Sequence, residues 1–165
     1  MKKLAPVSIF WFRRDLRLHD NHALFKALQN SKNVLPIFIF DKNILEKLSD
    51  KNEKRVSCIH QVLENINQEL IKSGSSLLVL HDKPMNAFKS ILEKYSVKEV
   101  YTNHDYEPLA ISRDVEIKDW LSSQNVTFHT FKDQVIFEKN EVMKSDGTPY
   151  TIFTPFKRKA QLIGI

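Results

Sequence analysis

The sequence predicts an α/β protein in which a five-stranded parallel sheet is doubly wound, with helices on both faces. Five short apolar runs alternate with amphipathic segments along the chain. This alternation is typical of parallel sheets, because each crossover between parallel strands needs a helix. The first run, residues 7–12, is apolar throughout, as expected for a strand that is buried on both faces. We therefore expect it at the centre of the sheet, with successive side chains on opposite faces.

The other strands are short runs rich in leucine, β-branched or aromatic residues, predicted over residues 34–40, 77–80, 97–102 and 126–131. Five helices are predicted from apolar residues at spacings of three and four. The first begins after Asp20 or Asn21, the second covers residues 53–73, the third begins at Pro84, and the last two cover residues 107–124 and 153–163. Within the second strand, Pro36 cannot donate a ladder hydrogen bond, so we expect it near a strand end. We expect Cys58 to be a buried filler beside the apolar face of the second helix.

The turn after the first strand carries four charges in five residues, namely Arg13, Arg14, Asp15 and Arg17. It has no glycine, and the whole chain has only three. A Walker P-loop and a dinucleotide fingerprint are excluded, since both need glycines for close backbone approach to phosphate. A nucleotide-like ligand would have to be held by side chains and helix N-termini. We expect the arginines to form a structural charge network with Asp15 and Asp20, with direct ligand contact as the alternative.

Composition limits the class of protein. A chain of 165 residues with 42% hydrophobic and 27% charged residues is typical of one globular domain. Apolar runs are too short to span a membrane, and we predict neither a signal peptide nor a membrane partner. The single cysteine is typical of a reducing compartment, so a cytoplasmic location is predicted. The net charge of +5 permits nucleic acid contact, but the basic run at residues 157–159 is read as a solvated helix face.

Three segments resemble one known family in the same order along the chain. Residues 11–21, WFRRDLRLHDN, are similar to the signature near the N-terminus of DNA photolyases and cryptochromes. Residues 103–108, NHDYEP, followed by Arg113 and Asp114, are similar to the segment after the fourth strand in that family. Residues 150–157, YTIFTPFK, resemble the segment where the family's chain leaves the α/β domain.

The resemblance implies that residues 1–133 form the family's antenna-binding α/β domain and that residues 134–165 begin the linker. The linker leads to a C-terminal helical domain that holds FAD and the DNA lesion, and the 165 residues contain no such domain. Light harvesting is the implied role, serving blue-light DNA repair or photoreception once the FAD domain is joined. We predict no catalytic residue here, no repair by the chain alone and DNA contact only through the missing domain, and the oligomeric state is left open.

Candidate ligand-binding residues collect at one edge of the predicted sheet. In parallel sheets the loops after the strands meet beyond the carboxyl ends, where ligands lie. Deazaflavin sites in the family use the backbone of the second strand, an arginine at the start of the second helix and an acidic residue after the fourth strand. The resemblance and the edge position together give the predicted site: Phe38, Ile39, Phe40, Asp41, Arg55, Asp105, Tyr106 and Glu107.

The predicted antenna is of flavin or deazaflavin type rather than a folate. The folate-type family pattern has an Asn-Glu pair where this chain has Leu109 and Ala110, so both polar contacts are lost. No metal site is predicted, because His81 and His104 lack a third ligand at suitable spacing. Two alternatives remain at this point: a freestanding nucleotide-binding module, and a remnant without a ligand.

Overall fold

The computed structural model describes residues 4–46 and 54–164, and of Leu4 and Ala5 only the backbone. Its chain divides into two compact units, Met1–Asp133 and Gln134–Ile165. The first unit contains the sheet, and the second contains irregular chain followed by one helix. That the second unit begins a linker to another domain stays a prediction.

All five strands belong to one parallel sheet, as the sequence predicts. The strands are β1 (Leu4–Phe12), β2 (Val34–Asp41), β3 (Leu78–Asp82), β4 (Tyr95–Asn103) and β5 (Thr127–Phe131). The helices are α1 (His22–Asn30), α2 (Lys42–Leu45), α3 (Lys54–Lys72), α4 (Pro84–Lys94), α5 (Pro108–Ser123) and α6 (Phe153–Ile163).

The strand order is β3-β2-β1-β4-β5, so β1 is the central strand. Phe12 lies opposite Phe38 of β2, and Phe10 lies opposite both Pro36 of β2 and Tyr101 of β4. The chain winds outward through β2 and β3 and then returns to the other side of β1 for β4 and β5. Strand order therefore reverses between β1 and β4, and in such sheets a ligand crevice opens beyond the carboxyl ends at that point.

The side chains of β1 point alternately into two core layers. Ile9 and Trp11 pack into one layer with Phe88 and Ile117. Phe10 and Phe12 pack into the other, which α1 and α3 cover. These four side chains are buried, which confirms the prediction of a central strand with both faces covered.

Local sequence signals account for several helix ends. Asn21 caps α1 by accepting the Leu24 amide at 3.2 Å, and prolines occupy the first positions of α4 and α5. Gly74 ends α3 with φ of 74°, a conformation that glycine adopts without strain. Pro36 lies just before the pairing of β2 with β3 begins at Ile37.

The prediction that Cys58 is buried is wrong, because the thiol is exposed. The inward positions of α3 are Leu63 and Ile66, with Val56 partly covered. Cys58 follows Val56 by two residues, which is about 200° around a helix, and so it points away from the core. Among the residues that the structure describes, none of the helices has the length and apolar composition of a membrane span.

Candidate functional site

Arg13 follows the last residue of β1, and its guanidinium lies 3.4 Å from the backbone oxygen of Asn103 at the end of β4. Its guanidinium donates to both carboxylate oxygens of Asp114 on α5, at 2.6 and 2.8 Å. The same group lies 4.2 Å from the ring centroid of Trp11, and the Arg13 side chain is only 5% exposed. Burial lowers the pKa of the Arg13 guanidinium, and the Asp114 carboxylate opposes that shift. A buried arginine with a two-point partner fixes β1 against α5.

A second arginine shares the same carboxylate. Arg113 donates through Nε and Nη2 to one oxygen of Asp114, both at 3.2 Å. Its guanidinium lies 4.9 Å from the Trp11 ring centroid. The Asp114 carboxylate therefore balances the charges of Arg13 and Arg113, and both guanidinium groups also contact the Trp11 ring. Ion pairs, hydrogen bonds and cation–π contacts together connect the end of β1 to α5.

Asp15 organises a buried polar network at the end of β1. One oxygen accepts the backbone amide of Arg13 at 2.8 Å, and the other accepts the side-chain amides of Asn103 at 2.6 Å and Asn21 at 3.1 Å. Asn103 in turn accepts the Ala23 amide at 3.0 Å. The turn, the end of β4 and the start of α1 are thus tied to one carboxylate.

The structure shows the expected charge network, but with other partners than those predicted. Arg13 pairs with Asp114, and Arg17 pairs with Asp133 at 2.7 Å. Asp15 accepts amides instead of guanidinium groups, and Asp20 meets Arg17 through its backbone oxygen. The prediction paired the arginines with the acids nearest to them in sequence. Asp15 is only two residues from Arg13, and its carboxylate accepts the Arg13 backbone amide, which closes the turn.

Arg14 points to the loop after β4, where three predicted site residues lie. It forms an ion pair with Glu107, and its Nε lies 3.7 Å from Asp105. The hydrogen bond from Arg14 to Glu107 raises the pKa of the arginine. The side chains of Arg14 and Glu107 are mostly exposed and that of Asp105 is nearly buried. The Arg14–Glu107 pair therefore lies at the protein surface, and the neighbouring Asp105 carboxylate is largely shielded from solvent.

The predicted residues of β2 occupy both core layers. Phe38 and Phe40 are buried in the layer beneath α3 with their rings 4.9 Å apart, and Ile39 is buried in the other layer. Asp41 accepts the Asn43 amide at 2.9 Å and caps α2. Phe40 stacks on His60 of α3 at 4.6 Å with an interplanar angle of 24°. His60 was not predicted, although it lies four positions after the inward-facing Val56.

The two remaining predicted residues lie on different sides of β1. Arg55 is exposed in the first turn of α3, and Tyr106 is half-buried with its ring edge-on to His104 at 6.4 Å. The β2 group and the β4 group are separated in the sheet by β1 alone, which is two strand spacings or about 10 Å. A ligand that contacts both groups has to extend across the end of β1.

A surface cleft of about 620 Å³ lies elsewhere, along the start of α1. Its lining includes Leu18, His22, Phe25 and Lys132, and none of the eight predicted site residues. It shares Asn21 with the polar network. In the described ranges, no three His, Cys, Asp or Glu side chains are arranged to hold a metal ion.

A family model described as DNA photolyase matches residues 8–163. The chain belongs to the DNA photolyase family. Among characterised relatives it is 30% identical over 157 residues to a deoxyribodipyrimidine photo-lyase of Synechococcus sp., covering 95% of this chain and 32% of the relative. It is 29% identical to cryptochrome-2 of Arabidopsis thaliana, covering 95% of this chain and 26% of the relative. The chain thus spans between about a quarter and a third of the length of these family members.

Solved structures of the photolyase family share the fold. A class III photolyase from Agrobacterium tumefaciens superposes with a TM-score of 0.82 at 28% identity, over 98% of this chain and 32% of that protein. An archaeal photolyase from Sulfolobus tokodaii gives a TM-score of 0.78 at 30% identity, over 96% of this chain and 35% of that protein. Its structure is described as having two FAD molecules, with the implication of a novel light-harvesting cofactor. These matches confirm the predicted family and fold.

Proposed function

We propose that this chain is the light-harvesting domain of a photolyase or cryptochrome, which holds an antenna chromophore at the carboxyl edge of its sheet. The observation that carries the proposal is the set of polar side chains at the reversal point of the strand order, where Arg14, Asp105 and Glu107 surround the end of β1. The archaeal photolyase that aligns over 96% of this chain is described with a light-harvesting cofactor, which supports an antenna in this part of the family.

The proposed chromophore is a flavin or deazaflavin. Leu109 and Ala110 stand where the folate-type pattern has an amide and a carboxylate, and neither has a polar side chain to offer. Asp41, Asp105 and Glu107 are hydrogen-bond acceptors, and Arg14 and Arg55 are cations. A flat heteroaromatic ring with polar edges suits such a set beside the Phe40 and His60 stack.

An antenna needs a fixed orientation, and buried hydrogen bonds and ion pairs fix the end of β1 in this proposal. The Asp15 network and the Arg13–Asp114 pair hold the end of β1 to β4, α1 and α5 through buried bonds. No bond of a substrate is made or broken here in this proposal. Flavin chemistry and DNA contact belong to the helical domain that the longer family members carry.

The isolated chain should therefore show no light-dependent splitting of pyrimidine dimers. The measurement is loss of dimers in irradiated oligonucleotides under blue light with FAD and reductant supplied, and the Synechococcus photo-lyase serves as the positive control. Repair by the 165-residue chain would place catalytic groups within it and contradict the proposed division of labour.

The chromophore site is tested by titrating flavin, deazaflavin and folate compounds into the protein and following their fluorescence. Arg55→Ala should weaken flavin or deazaflavin binding by about 1–3 kcal/mol, the usual cost of removing a charged hydrogen-bond donor. Arg158→Ala is the matched control, because it removes another exposed arginine, on α6 and outside the predicted site. Equal affinity of wild type and Arg55→Ala would exclude this site. Binding of adenine nucleotides alone, or of no compound, would favour the nucleotide module or the remnant.

A further inference from the structure

The cleft along the start of α1 lies entirely within the first unit, Met1–Asp133. Its volume of about 620 Å³ is within the usual range of small-molecule sites, about 300–1,000 Å³. Phe25 and Leu28 line it and are 58% and 61% exposed. Residues three positions apart are neighbours on a helix surface, so these two side chains form one apolar wall of the cleft.

His22 adds a hydrogen-bonding group to the same cleft, three positions before Phe25. Its Nδ1 lies 3.0 Å from the backbone oxygen of Lys132, which can only accept, so Nδ1 carries the proton. The neutral ring then has Nε2 as a hydrogen-bond acceptor. The ring also packs against Phe131, with the centroids 5.1 Å apart, and the His22 backbone amide donates to Asp133 at 3.0 Å. His22 is therefore a fixed acceptor for a ligand that carries an N–H group.

The start of α1 is not arranged for an anion, although helix N-termini often bind phosphate. Its first three backbone amides already donate to side chains, those of Asp133, Asn103 and Asn21 in turn. Asp20 and Lys132 bring charges of both signs to the lining, so charge does not favour an anion either. Acceptors beside an apolar wall suit an uncharged ring with hydrogen-bond donors on its edge.

We propose that this cleft binds the flat ring of an amino-substituted heterocycle of the nucleobase type. The ring stacks on Phe25 beside Leu28, and its amino group donates to Nε2 of His22. Stacking on an aromatic side chain is open to such rings because each has a π-face. The Lys26 ammonium lies 5.6 Å from the Phe25 ring centroid, and a single cation covers only one of the two ring faces. The cleft lies apart from the eight predicted chromophore residues, so this inference goes beyond the proposed chromophore role and does not depend on it.

The probe is 2-aminopurine riboside, a fluorescent nucleoside whose emission is quenched when its base stacks. It is titrated into the whole chain at about pH 8, where an unperturbed imidazole is neutral. We expect saturable binding of one molecule per chain. Purine riboside has the same ring without the amino group, and it should bind about fivefold more weakly because one hydrogen bond is lost.

Two variants separate the stack from the hydrogen bond. Phe25→Ala should raise the dissociation constant of 2-aminopurine riboside by about tenfold, through loss of stacking. His22→Asn should raise it by about fivefold and abolish the preference over purine riboside, since asparagine can still donate to the Lys132 oxygen but has no acceptor in the place of Nε2. The matched control is Phe153→Ala, which removes an exposed phenylalanine of the second unit and should leave binding unchanged. Circular dichroism checks that each variant is folded.

Three results would overturn the proposal. The first is the absence of saturable binding of 2-aminopurine riboside to the wild-type chain. The second is equal affinity of wild type and Phe25→Ala, and if Arg55→Ala then weakens binding, the ring lies among the predicted chromophore residues instead. The third is equal affinity of the wild-type chain for the two ribosides, which would exclude the hydrogen bond to His22.

Discussion

Replacing Asp114 with alanine should lower the free energy of unfolding by about 3–5 kcal/mol, the usual cost of removing one partner of a buried ion pair. The reason is the position of Arg13, whose side chain is 5% exposed and whose guanidinium has both carboxylate oxygens of Asp114 as acceptors. Without Asp114 the buried charge keeps a 3.4 Å contact to the Asn103 carbonyl and loses its counter-ion. Chemical denaturation followed by circular dichroism gives the free energy.

The control for this variant is Asp119→Ala, which lies further along α5 at an exposed position. It should change the free energy of unfolding by no more than about 0.5 kcal/mol. If Asp114→Ala fails to fold, the double variant Arg13→Met with Asp114→Leu keeps the prediction testable. It removes both charges, so we expect it to be more stable than Asp114→Ala alone. Equal stability of Asp114→Ala and Asp119→Ala would mean that the pair contributes little.

The sheet could be predicted because its signals are local. The run at residues 7–12 is apolar throughout because β1 is covered on both sides by core layers. The ends of the strands were predicted less accurately. β4 begins at Tyr95, two residues before the predicted start at residue 97, and Tyr95 pairs with Leu4 of β1. That extension is fixed by the neighbouring strand, and the sequence of β4 alone does not contain it.

The partners within the candidate site could not be predicted in the same way. Arg13 and Asp114 are 101 positions apart, and Arg17 and Asp133 are 116 apart. Nothing in either short segment specifies which of the 20 acidic residues of the chain each arginine meets. The order of the strands decides it, because β4 and the start of α5 come to lie beside β1. The segment similarity around Arg113 and Asp114 was visible in the sequence, but the pairing with Arg13 was not.

The position of a side chain around a helix is a further limit. Cys58 and His60 lie near the start of α3 on the same helix, yet the thiol points to solvent and the imidazole stacks on Phe40. The spacing of apolar residues in α3 indicates only approximately which side of the helix faces the sheet, because just Leu63 and Ile66 are buried among its described residues. Both residues, Cys58 and His60, are exposed, and only His60 is turned far enough toward the sheet for its ring to reach Phe40.

Asp15→Ala should also lower the free energy of unfolding strongly. Asp114→Ala leaves a buried charge without its counter-ion, whereas Asp15→Ala leaves buried amide donors without an acceptor. The carboxylate accepts three donors, the Arg13 amide and the side-chain amides of Asn103 and Asn21. Asp15, Asn21 and Asn103 are all buried, so water cannot readily replace the lost acceptor. Each buried donor left unpaired costs about 1–3 kcal/mol, and the loss in unfolding free energy should exceed that of any single donor.

A matched aspartate separates this effect from a general loss of charge. Asp41 accepts one amide at the start of α2, so Asp41→Ala should cost about 1 kcal/mol, as for an ordinary helix cap. Asp15→Asn keeps one oxygen acceptor but brings a second donor toward the two asparagines, and we expect its stability to lie between those of wild type and Asp15→Ala. Hydrogen exchange adds a local measurement: the Ala23 amide, which donates to Asn103, should exchange faster in Asp15→Ala because Asn103 is no longer held. Equal costs for Asp15→Ala and Asp41→Ala, with unchanged exchange at Ala23, would show that the turn after β1 is held by Arg13 and Asp114 without help from Asp15.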